Sequence, residues 1–197
     1  MKLLVIGGFL GSGKTTLLLR IARQLVARSL KIAVIENEIG TVGLDNQYLA
    51  LEGIPVQELY GGCVCCTLTG SLQAMLQRIE SSLAPDWVLV EPSGVATPGD
   101  LVASLRSGAA TLEAITVINL LDAPRFEALA TVLEPMIEDY VTSADIVAIN
   151  KIDEVDEAAI VRIRQVIERI GVGRPVLELC AESGLNVDEL TRRAVGV

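Results

Sequence analysis

Near-continuous runs of Val, Ile and Leu recur at Leu3–Ile6, Ile32–Ile35, Val56–Leu59, Trp87–Val90, Ile115–Ile118, Ile146–Ile149 and Val176–Leu179. Runs that stay apolar on successive residues, instead of alternating with polar ones, suit strands of a parallel sheet covered on both faces. Between them the apolar positions take helical spacing, at Lys14–Arg28, Ser71–Leu83, Pro98–Arg106, Pro124–Leu129, Glu134–Thr142, Glu157–Ile170 and Val187–Arg193. In the stretch from Glu157, Ile160, Ile163, Ile167 and Ile170 fall three or four apart and leave Arg and Glu on the other face. Strand–helix alternation of this kind predicts an α/β protein of three layers, α/β/α, with a mostly parallel sheet and right-handed crossovers. No linker, repeat or low-complexity stretch interrupts the pattern, so residues 1–197 are expected to form a single domain.

Composition narrows the chemistry. The chain of 197 residues is 51% hydrophobic but only 3% aromatic, so its core is aliphatic and it lacks the rings for a base-stacking platform. A mean hydropathy of +0.50 raises the question of a membrane. The longest apolar stretch, Leu112 to Leu121, is broken by Glu113, Thr116 and Asn119 and falls well short of the roughly 20 residues that a spanning helix needs. The opening apolar run is followed at once by a Gly-rich loop and Lys14, which is not how a signal peptide reads. A cytoplasmic protein with no membrane partner is expected. With 16 basic and 25 acidic residues the net charge is −9, which argues against nucleic acid as a partner. There is no His, so acid–base or metal chemistry must use carboxylates, Lys, Cys or backbone dipoles.

Gly8-Phe9-Leu10-Gly11-Ser12-Gly13-Lys14-Thr15-Thr16 fits the phosphate-loop pattern G-x-x-x-x-G-K-S/T, with a strand before it and a helix after it. Glycines at Gly8, Gly11 and Gly13 let backbone N–H groups, Ser12 among them, turn in around phosphates at a helix N-terminus. Lys14 would reach the β- and γ-phosphates, and the Thr15 hydroxyl would face Mg²⁺. A Gly-rich turn that merely caps a helix is the plainer reading. Asn150-Lys151-Ile152-Asp153 follows the strand at Ile146–Ile149, where a base-reading loop belongs. The Asp153 carboxylate can accept two hydrogen bonds from guanine and none of that kind from adenine, the Lys151 stem can cover the base, and Asn150 can brace the loop. Ala181, after the last strand, could offer its N–H to the guanine oxygen, with Cys180 beside it in the packing. Glu91-Pro92-Ser93-Gly94 ends another strand: Glu91 there would hold Mg²⁺ through water, and the Gly94 N–H could approach the γ-phosphate. Lys14, Glu91 and Gly94 are thus the candidate catalytic groups.

Three of the four Cys fall within Gly61-Gly62-Cys63-Val64-Cys65-Cys66. Thiolates bind soft or borderline metals such as Zn²⁺, and three cannot close a four-ligand structural site. An incomplete site suits a metal that must leave again. Small apolar residues at a tight turn are the other reading. No Lys or Arg occurs from Ile32 through Gln77, while Glu36, Glu38, Asp45, Glu52 and Glu58 lie inside that stretch. Those carboxylates favour a divalent cation near the cysteines, or else form a solvated acidic face.

Taken together, G-F-L-G-S-G-K-T-T at Gly8–Thr16, E-N-E-I-G at Glu36–Gly40, G-G-C-V-C-C at Gly61–Cys66, E-P-S-G at Glu91–Gly94 and N-K-I-D at Asn150–Asp153 resemble the CobW-like family of P-loop metallochaperone GTPases. The motifs occur in family order and span nearly the whole chain. The resemblance implies a P-loop NTPase fold, GTP and Mg²⁺ as ligands, and hydrolysis coupled to delivery of zinc or a cobalt-related metal to a client metalloprotein. It implies Cys63, Cys65 and Cys66 as metal ligands, with Glu36 or Glu38 as helpers, and a nucleotide-dependent homodimer. A switch or chaperone for a cofactor enzyme, such as a corrinoid protein, is the alternative function. Slow intrinsic turnover is expected, because no Arg is recognisable as a finger and no Gln as a water-positioning group. The chain departs from the family in having Thr41 where an acidic residue often stands and in having no His-rich tract, which moves the expectation away from nickel. Relatives often carry a second, C-terminal domain, whereas the motifs here use almost the full length.

Overall fold

A computed structural model of the chain describes residues 1–36, 56–58, 68–92, 98–108 and 112–196. Its strands are β1 (Lys2–Gly8), β2 (Ile32–Glu36), β3 (Val56–Glu58), β4 (Trp87–Glu91), β5 (Ala114–Asp122), β6 (Ile146–Asn150) and β7 (Val176–Leu179). The helices are α1 (Lys14–Ala27), α2 (Leu68–Leu83), α3 (Pro98–Gly108), α4 (Phe126–Val132), α5 (Glu134–Ser143), α6 (Glu157–Ile170) and α7 (Val187–Val195). Among the described residues these strands join one sheet in the order β3-β2-β4-β1-β5-β6-β7. Each pairing in it is parallel.

The unbroken apolar runs are explained by burial on both faces. Leu4 and Ile6 of β1, Leu89 of β4, Ile118 and Leu120 of β5 and Ala148 of β6 pack with α1 and α7 on one side. Leu3, Val5, Val88, Val90 and Val117 pack with α2 and α3 on the other. Farther along that second face, Leu121, Val147 and Ile149 meet α4, α5 and α6. The crossover from β1 to β2 uses α1 on the first face, while the steps back across the sheet to β4, β5, β6 and β7 use helices on the second. That division keeps one handedness throughout, as twisted parallel strands require.

Several elements differ in extent from their sequence patterns, and two of the differences have a clear physical reason. β5 runs nine residues, past the polar Asn119 at which the apolar pattern stops. Asn119 is fully buried, and its amide donates to the Tyr140 carbonyl at 2.7 Å and to Ser143 Oγ at 3.0 Å, which makes a polar residue tolerable inside a central strand. The segment from Pro124 begins as a 3₁₀ turn, Ala123–Arg125, capped by the Asp122 side chain, before α4 takes over. No helix among the described residues is long and apolar enough to cross a membrane.

Candidate nucleotide-binding site

The loop between β1 and α1 is built around places where a side chain does not fit. Gly8 has φ +148°, and a Cβ there would come within 2.8 Å of the Leu120 carbonyl oxygen and 2.7 Å of Ser12 Oγ. Gly13 enters α1 at φ +96°, and a Cβ there would collide with the carboxamide nitrogen of Asn150. The turn is closed by Ser12 N–H donating to the Phe9 carbonyl at 3.1 Å. Ser12 itself is buried, and among the described residues its Oγ has no hydrogen-bond partner. α1 starts without a side-chain cap and with no acidic residue in its first turn. Its first N–H groups therefore keep both their hydrogen-bonding capacity and the positive end of the helix dipole for an anion. A start without a side-chain cap is shared by α4, α5 and α7, whereas at the start of α6 Asp156 accepts from Ala159 N–H at 2.8 Å.

Lys14 is 6% exposed and curls back over the loop, its ammonium donating to the Phe9 carbonyl at 3.2 Å. The same nitrogen lies 3.9 Å from Glu91 Oε1, at the C-terminal end of β4. Thr15 Oγ1 donates to that oxygen at 3.1 Å, while Thr16 points outward. Hydroxyl and carboxylate oxygens brought together beside a phosphate loop make the hard donor set that Mg²⁺ takes, so Thr15 and Glu91 fit that ion.

The base-side loop lies one strand beyond β5, on β6. Asn150 is 2% exposed; its Nδ2 donates to the Ser12 carbonyl at 2.7 Å and its Oδ1 accepts from Ala181 N–H at 2.8 Å. One side chain thus joins the phosphate loop to the segment after β7. The Ala181 N–H expected to reach guanine is engaged by Asn150 here, so a base oxygen would compete with that bond. Lys151 adopts a left-handed backbone, φ 63°, which costs a non-glycine residue on the order of 1 kcal/mol and is a common feature of working loops. Asp153 follows in a 3₁₀ turn and is exposed. Cys180 is a buried free thiol, as the packing role predicts.

Asp122 and Arg125 were not among the residues that sequence motifs single out. Asp122 ends β5 in register with Asn150, is 1% exposed, and accepts the Lys151 ammonium at 2.8 Å and the Arg125 Nε at 2.9 Å. Burial pushes its carboxyl up, but the hydrogen bonds and charges of Arg125 and Lys151 outweigh that and hold it below the usual carboxylate value. The available signal was an Asp at the end of an apolar strand, level with the strand that carries Asn150. Glu38, Cys63, Cys65, Cys66 and Gly94 lie outside the described residues, as does the side chain of Glu36. The backbone of Glu36 is in register with Glu91 on one side and Glu58 on the other. Among the described residues no group of three or more Cys, Asp or Glu could hold a metal ion.

A glycine loop running from a parallel strand into an uncapped helix, with a carboxylate at the adjoining strand end and an Asn-Lys-x-Asp loop two strands away, defines a P-loop nucleotide-binding α/β protein. The chain belongs to the CobW/HypB/UreG family: residues 2–178 match the model of its nucleotide-binding domain. The zinc chaperone CobW of a Sinorhizobium species is 30% identical over 190 residues, covering 81% of this chain and 53% of that protein. The zinc-regulated GTPase metalloprotein activator 1 of Schizosaccharomyces pombe is 26% identical over 185 residues, covering 88% of this chain and 44% of its own length. The chain spans about half the length of the curated relatives it matches. Among solved structures, the hydrogenase maturation factor HypB of Archaeoglobus fulgidus superposes with a TM-score of 0.75 at 18% identity, covering 100% of this chain and 89% of that one, a likeness of fold.

Proposed function

We propose that the chain is a GTP-binding and GTP-hydrolysing metallochaperone domain, residues 1–197, that carries Zn²⁺ or a cobalt-related metal as cargo on Cys63, Cys65 and Cys66 and hands it to a client metalloprotein. The observation that carries the nucleotide part is the convergence of Lys14, Thr15 and Glu91 at an uncapped helix N-terminus. Lys14 exchanges its Phe9 contact for the β- and γ-phosphates, and the backbone N–H groups from Gly11 to Thr16 surround the rest. Mg²⁺, held by Thr15 and through water by Glu91, would neutralise phosphate charge. Gly94 lies in the segment that follows Glu91 and is assigned to the γ-phosphate. Asp153 reads the guanine edge, with Lys151, Asn150 and Ala181 shaping the loop.

For the metal part, support comes from the zinc-related names of the relatives and from the cysteine motif starting five residues after the end of β3 at Glu58. Glu36 and Glu38 are the assigned helper ligands at the end of β2. Because these segments leave the ends of β2 and β3, on the side of the sheet where β4 carries Glu91, γ-phosphate and metal affinity would be linked. Turnover is slow in the isolated chain: Arg125 lies against the phosphate loop but is tied to Asp122 and to the Leu10 carbonyl. A partner or a second copy in a GTP-dependent homodimer supplies the missing activation. The reading places the protein in the cytoplasm, without nucleic acid or membrane as partner.

The test is a Zn²⁺ titration of purified protein with a non-hydrolysable GTP analogue and with GDP, alongside phosphate release from GTP. About one metal per chain, with affinity that depends on the nucleotide and is lost in the Cys65→Ser, Cys66→Ser double variant, is expected. Unchanged metal binding in that variant overturns the cysteine assignment, and equal binding of GTP and ATP overturns the guanine assignment.

A further inference from the structure

We propose that Asp122 and Arg125 are positioning residues that tie the phosphate loop to the base-reading loop, so that each loop sets the other's affinity for nucleotide. The inference rests on the guanine-nucleotide reading above and goes beyond it, because neither residue belongs to the motifs behind that reading. Asp122 Oδ2 receives three donors: Arg125 Nε at 2.9 Å, the second Arg125 nitrogen at 2.7 Å, and Lys151 Nζ at 2.8 Å. One cation would neutralise a buried carboxylate; a second is explained by what each cation goes on to hold. The Arg125 guanidinium continues to the Leu10 carbonyl, 2.7 Å away on the outer arm of the phosphate loop. It lies flat enough on that arm that a Cβ at Gly11 would meet it at 3.4 Å. Lys151 is the left-handed residue of the base loop, two positions before Asp153. A single oxygen therefore positions both arms of the site.

This tie is separate from the bond between Asn150 and Ser12, which joins the inner edges of the same loops. It differs in kind as well. Arg125 is 46% exposed at its side chain, whereas Asp122 is wholly enclosed, so the arm on the phosphate side can be released without unpacking the sheet. Charge-assisted bonds through a shared acceptor act as a unit, and removing either cation changes how firmly Asp122 holds the other.

The experiment follows release of a fluorescent GDP analogue from the wild type, Arg125→Met, Lys151→Met and the double variant, with the same set repeated on Asp122→Asn. Each single variant is expected to speed release about tenfold. The double variant should depart at least about threefold from the product of the two, and that departure should vanish on Asp122→Asn. Independent effects of Arg125→Met and Lys151→Met, or no effect of Arg125→Met, overturn the inference. Arg125 is surface-accessible, so the first cycle decides the matter even when Asp122→Asn does not fold. A wild type that binds GDP and ADP alike overturns the guanine reading instead, and is seen before any variant is compared.

Discussion

At the scale of single residues, Asp122 shows how context reverses the cost of burial. A lone carboxylate with 1% exposure would take up a proton, but two cations on one oxygen keep it ionised. The sign for stability follows from that depressed value. Asp122 contributes fully above about pH 4, where the unfolded carboxyl is also ionised. The contribution is lost as pH falls from there through the lower value of the folded state. Urea midpoints measured at pH 7 and pH 3 should therefore fall more for the wild type than for Asp122→Asn. An equal fall in both would show that Arg125 and Lys151 do not stabilise the charge. The neighbouring loop residues are governed by space rather than charge: Gly8 and Gly13 sit where Leu120, Ser12 and Asn150 leave no room for a Cβ.

At the scale of elements, α1 and α6 start differently but are held alike, each by burial of one apolar face. α1 is left uncapped over a phosphate loop, while its Leu17, Leu18, Ile21 and Leu25 are fully buried against the sheet. Each of those side chains contributes about 1.5–3 kcal/mol of burial, which holds the helix without a cap. α6 follows the base loop, is capped by Asp156, and packs Ile160, Ile163 and Ile167 inward. Ile163→Ala should cost about 3 kcal/mol, whereas Val161→Ala on the exposed side should stay within about 0.5 kcal/mol. Chemical denaturation of both variants checks this; similar losses would mean that α6 is not oriented as described. The periodicity of isoleucines made this orientation legible in sequence. The length of β5 was not legible, because Asn119 breaks an apolar pattern that its bonds to Tyr140 and Ser143 repair.

At the scale of the whole molecule, the strand order places the phosphate loop after the central β1, with Glu91 on one neighbour, β4, and Asp122 on the other, β5. Ligand bound across these strand ends stabilises only the folded chain. GDP with Mg²⁺ at about 100 times its dissociation constant should add about 2.7 kcal/mol. For a chain of this size that raises the melting temperature by about 5–10 °C. Thermal melting with GDP and with ADP measures it, and an equal rise with both would argue against base reading by Asp153. The phosphate loop and Asn150–Asp153 were legible because short spacings in one segment define them. The bonds from Asn150 to Ser12 and from Arg125 to Leu10 join residues more than a hundred positions apart, which no local pattern records.

The alternation of strands and helices, the faces that helices bury, and the loops able to meet phosphate and base were legible in local pattern. These depend on neighbours within a few residues, where period and backbone freedom act. Which strand ends lie side by side, and hence that Asp122, absent from every motif, stands between the two loops, depended on the assembled sheet. Register across a parallel sheet brings that about, since Asp122 and Asn150 are neighbours through hydrogen bonding of β5 to β6 and not through the chain.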